Sequence, residues 1–103
     1  MSVMVEFSMS PLDKGASVGD AVAKVVDFID RSGVPYRLNP MGTVIEGTWD
    51  ECFGLVKQCY ALMAEESGRI TITMKVDVRA GEDGRLDTKV RSVEERVGRK
   101  LRT

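Results

Sequence analysis

Glu6 and Glu46 are the residues of this chain best suited to chemistry. Each lies within an alternating run, VMVEFSMS and TVIEG, where one face is apolar and the carboxylate belongs to the other. Alternation sends Met4 and Ser8 to the same face as Glu6, and Val44 and Thr48 to that of Glu46. A third run, RITITMKVDVR, adds Thr71, Thr73, Lys75 and Asp77. A carboxylate among hydroxyls accepts charge-assisted hydrogen bonds from an exocyclic amine or a protonated ring nitrogen. That chemistry suits an aminopyrimidine or a cationic ligand. Two neighbouring carboxylates also repel, so one keeps its proton or binds a cation, and a raised pKa would equip it for acid–base work. On a freely solvated sheet face the same groups would only meet water. The chain contains no histidine, which removes the usual catalytic triads and leaves a zinc site short of ligands. Binding is therefore expected ahead of a paired-carboxylate enzyme.

The elements that must hold these residues follow from periodicity. Val3, Val5, Phe7 and Met9 give the first strand its apolar face. Val18, Ala21, Val22, Val25, Val26 and Ile29 recur at helical spacing, with Ser17 as the expected N-cap and Gly33 as the C-cap. Two short strands, 36–39 and 43–48, flank a Pro-Met-Gly turn and form a hairpin. Thr48 and Glu51 have the spacing of a capping box, opening a helix that runs to Gly68. Ile70, Ile72, Met74, Val76 and Val78 line one face of a long strand at 69–79, AGEDGR turns, and Leu86, Val90, Val93, Val97 and Leu101 form a narrow helical stripe. The order β-α-β-β-α-β plus a terminal helix is that of an α+β, ferredoxin-like split βαβ sandwich. Right-handed crossovers place the first two helices on one sheet face and leave the other, with Glu6 and Glu46, open.

Composition agrees with one domain over residues 1–103. Hydrophobic residues make up 43% and charged residues 30%, with a net charge of −1, so no overall field points to nucleic acid. The aromatics that an RNA-binding sheet needs are missing from the outward positions, and acid there repels phosphate. Residues 85–103 are basic on an otherwise acidic chain, which reads as a subunit contact or a solvated helix face. GEDG and MGT lack the spacing of a phosphate loop. No membrane span or secretory signal is evident, so a cytoplasmic location is expected. Cys52 and Cys59 fall on one helix, about 10 Å apart along it, too far for a disulfide. Trp49 and Tyr36 suit either packing or stacking on a ligand ring.

VEFSMSPL, SGVPYRLNPMGTVIEGTWDE, ITITMKVDVR and the final KVRSVEERV resemble the small thiamine-binding protein family of the YkoF-like superfamily, formerly an uncharacterised conserved family. The resemblance spans nearly the whole chain, and PMGTVIEG is its most specific part. It implies a ferredoxin-like fold assembled as dimers pairing into a homotetramer, sheet facing sheet. It also implies non-catalytic binding of thiamine or its hydroxymethylpyrimidine moiety, with no cofactor, in a pocket on the open face. Carried over by position, the ligand-binding residues are Glu6, Ser8, Met41, Gly42, Thr43 and Glu46. The glutamates take the amine, and Ser8 and Thr43 support it, although alternation puts Thr43 on the helix side. The alternative is an assembly module with no small-molecule ligand.

Overall fold

A computed structural model of the chain describes every residue except Met1, Ala16, Ser17 and Glu82. Its elements are β1 (Ser2–Pro11), α1 (Gly19–Ser32), β2 (Tyr36–Asn39), β3 (Gly42–Gly47), α2 (Trp49–Ala64), β4 (Ile70–Arg79) and α3 (Arg85–Val97). The strands form one antiparallel sheet in the order β2-β3-β1-β4. This is the ferredoxin-like arrangement expected from the element order.

Alternation sets the two faces. Val3, Val5, Phe7 and Met9 of β1 and Ile45 of β3 are buried beneath α1 and α2, which contribute Val25, Ile29, Leu55, Val56 and Met63. Cys52 and Cys59 are buried in the same core as free thiols. Burial pushes both up to about 11. The helices centre on β1, β2 and β3, leaving β4 at the sheet edge. Its core-side row is consequently half uncovered, with Ile72, Val76 and Val78 at 40, 38 and 48% exposure.

Local chemistry explains the element ends. The α2 start is a complete capping box: Thr48 Oγ1 accepts from Glu51 N–H, and the Glu51 carboxylate accepts from Thr48 N–H. The helix stops at Ala64, ahead of Gly68, because the Glu65 and Glu66 N–H groups turn tightly onto Leu62 and Met63 carbonyls. Gly33 closes α1 in the left-handed conformation, φ 80°. The expected cap Ser17 lies outside the described residues. Gly98, φ 88°, closes α3 and leaves Leu101 beyond the helix.

The open face is not left bare. α3 lies over β1 and β3 on the side away from α1 and α2. Only its first half is well seated, since Val93 and Val97 remain half exposed.

Candidate ligand-binding site

Glu46 is buried in the sheet, and its partners are the answer to why a carboxylate stands there. Its oxygens accept from the N–H groups of Arg85 (2.9 Å) and Leu86 (3.2 Å), the first two residues of α3. The Ser2 hydroxyl adds a third bond at 2.5 Å. A helix start leaves such N–H groups unsatisfied, and Gly84 has no side chain to cap them. Glu46 supplies the cap from a distant strand. Arg85 then threads back into the sheet, donating to the Ser2 carbonyl (2.9 Å) and to the Asp77 carboxylate (2.6 Å). Lys89 also reaches Asp77, at 3.1 Å. Burial pushes the Glu46 carboxyl up, but Ser2, the two N–H groups and the Arg85 charge outweigh it and hold the carboxyl below its ordinary value. Hydrogen bonds from Lys89 and Arg85 likewise lower Asp77.

A cavity lies elsewhere, at the hairpin end of the sheet. Asn39, Pro40, Met41 and Gly42 form a two-residue loop closed by the Asn39–Gly42 pair. None of the four takes a positive φ, and Asn, Pro and Gly occupy the positions that a type I turn favours. The loop lies hard against β1: a Cβ on Gly42 would stand 3.0 Å from the Phe7 carbonyl oxygen. Thr43 pairs with Phe7 on one side and Leu38 on the other, so these three side chains form a row facing α1. Val22, Val25 and Val26 of α1 complete the wall. The cavity holds about 750 Å³, within the range usual for small-molecule sites. Ser8, Ser10, Asn39 and Thr43 are the polar residues of its lining, although alternation with Phe7 and Met9 turns the Ser8 and Ser10 side chains toward the Glu6 face.

Of the six residues expected to bind ligand, Ser8, Met41, Gly42 and Thr43 line this cavity together. Thr43 does so from the helix side, as its alternation requires. Met41 stands at the rim, 90% exposed. Glu6 is exposed on the opposite sheet face, with its Cγ 3.9 Å from where a Gly42 Cβ would be. It faces Lys75 across β1–β4. Glu46 is not brought to the cavity: it stands opposite Met4, while Glu6 stands opposite Val44, and its cover comes from the chain's own α3. Sequence reading missed the apolar walls, because Phe7, Val22, Val25 and Val26 look like ordinary core. It also missed Arg85 as an anchor. The available signal was a cation at a helix start, where the dipole disfavours it.

The architecture and sequence match known proteins. A Methanocaldococcus jannaschii protein superposes with a TM-score of 0.82 at 30% identity, over 91% of this chain and 97% of that one. A candidate thiamine biosynthesis/salvage protein from Thermotoga maritima shares the fold at TM-score 0.73 and 20% identity, over 95% of this chain and 97% of that one. A UPF0045 protein of Mycobacterium tuberculosis is 38% identical over 95 residues, 91% of this chain and 93% of the relative. The family model described as thiamine-binding protein matches residues 5–94. The chain belongs to the thiamine-binding protein family.

Proposed function

We propose that this protein binds thiamine or its hydroxymethylpyrimidine moiety in the hairpin cavity, as a non-catalytic, cytoplasmic carrier or sensor. The observation that carries the reading is the convergence of Ser8, Met41, Gly42 and Thr43, matched to the family by position, on one cavity of ligand size. Apolar walls from Phe7, Val25 and Val26 suit the faces of a heteroaromatic ring. The Thr43 hydroxyl and the Asn39 amide suit its ring nitrogens and amine. Glu6 and Glu46 lie on the other sheet face, outside this lining, where Glu46 anchors α3.

Calorimetric titration with hydroxymethylpyrimidine and thiamine tests this. Val26→Phe fills the cavity wall and is expected to weaken binding at least tenfold, about 1.4 kcal/mol or more, while the fold survives. Glu46→Gln is expected to bind normally but to lose about 1–3 kcal/mol of stability. Unchanged binding by the Val26 variant, with loss in the Glu46 variant, would move the site to the α3 side of the sheet.

Self-association is part of the same proposal. The half-exposed row on β4, at an unpaired strand edge, and the exposed Val93 and Val97 of α3 support pairing with further copies of the chain.

A further inference from the structure

We propose that the site admits the unphosphorylated, cationic form of its ligand and turns away the phosphate esters. This rests on the hairpin cavity being the binding site and adds the class of ligand that it accepts. Among the described residues no lysine or arginine lines the cavity. Phosphate sites are built from such cations, or from free backbone N–H groups. A second groove of about 520 Å³ runs along the outside of α1 and β2 and shares Val22, Val26 and Leu38 with the cavity. A ligand of two linked rings that fills the cavity would extend its second ring over this shared wall.

The groove presents Asp27, Asp30 and the Tyr36 ring. Asp30 accepts the Tyr36 hydroxyl at 2.7 Å and has no cation paired with it among the described residues. Asp27 is paired with Arg31 at 3.1 Å. Aromatic and carboxylate together suit a ring with a fixed positive charge, such as a thiazolium. The anion-friendly feature here is the start of α1 at Gly19, and Asp20 already occupies its first turn. A phosphate group would therefore meet carboxylates where it needs cations.

The test is calorimetry on the full chain with thiamine, thiamine diphosphate, hydroxymethylpyrimidine and its phosphate, at low and high salt. Each unphosphorylated ligand is expected to bind at least tenfold tighter than its ester. The gap should narrow with salt, because screening weakens exposed charges, and in the double variant Asp27→Asn, Asp30→Asn. Esters that bind equally or more tightly would overturn this inference alone. Binding of none of the four would overturn the function on which it rests.

Discussion

Glu46 exchanges its hydration for three hydrogen bonds and the nearby Arg85 guanidinium. A buried carboxylate left without such partners would cost several kcal/mol. That Glu46 needed a partner was legible from its place in the alternation. Which partner was not, because the main donors are backbone N–H groups of a helix 39 residues away, and a side-chain pattern carries no record of those. Gly42 was legible as a turn residue, but its contact with the Phe7 carbonyl depends on strand pairing. The cysteines show the same split: their spacing excluded a disulfide, and their depth in the core came only with the fold. With both thiols pushed up to about 11, the native protein is expected to resist alkylation at pH 8. Labelling should follow unfolding. Rapid modification of either thiol in the native state, read by mass spectrometry, would show that the core opens there.

Elements were read well wherever burial is one-sided. β1 alternates cleanly between buried and open faces, and the Thr48–Glu51 box marks the start of α2 at the expected residue. The placement of α3 escaped the sequence, since its narrow stripe says that it packs but not against what. Its attachment depends on the Ser2–Glu46–Arg85–Asp77 network. Because Glu46 and Asp77 are held below their ordinary values of 4.5 and 3.8, their contribution is complete above those values. It is lost as pH falls through the lowered, folded ones. Acidification toward pH 3 is expected to release α3 before the rest of the fold. Hydrogen exchange would show residues 85–97 losing protection while β1 and α2 retain theirs. Arg85→Ala should do the same at neutral pH and lower overall stability by about 1–3 kcal/mol, because the Ser2 carbonyl and Asp77 lose their donor. Uniform loss of protection across the chain would show that α3 is not a separable unit.

At the scale of the whole molecule, a chain of this length should have a radius of gyration of about 13 Å if fully compact, and this one has 15.0 Å. The excess fits a fold whose β4 edge and outer α3 are not covered by their own chain. The ferredoxin-like order was legible because each element has its own period. The uneven cover of β4 was not, since it depends on where two helices settle across four strands. Val76→Lys, on the exposed row, is expected to shift the protein toward monomer in sedimentation equilibrium. The ligand cavity is bounded by one chain and should survive the change. A wild type that is already monomeric at high concentration would remove self-association from the proposed function.

The most direct test of the cavity is a titration of isotope-labelled protein with hydroxymethylpyrimidine, followed by amide chemical shifts. Binding in the hairpin cavity should move resonances of residues 7–10, 22–26 and 38–43, and leave those of 85–97 nearly still. Shifts concentrated instead at Glu46, Asp77 and the start of α3 would contradict it, and would return the binding role to the carboxylates of the opposite face.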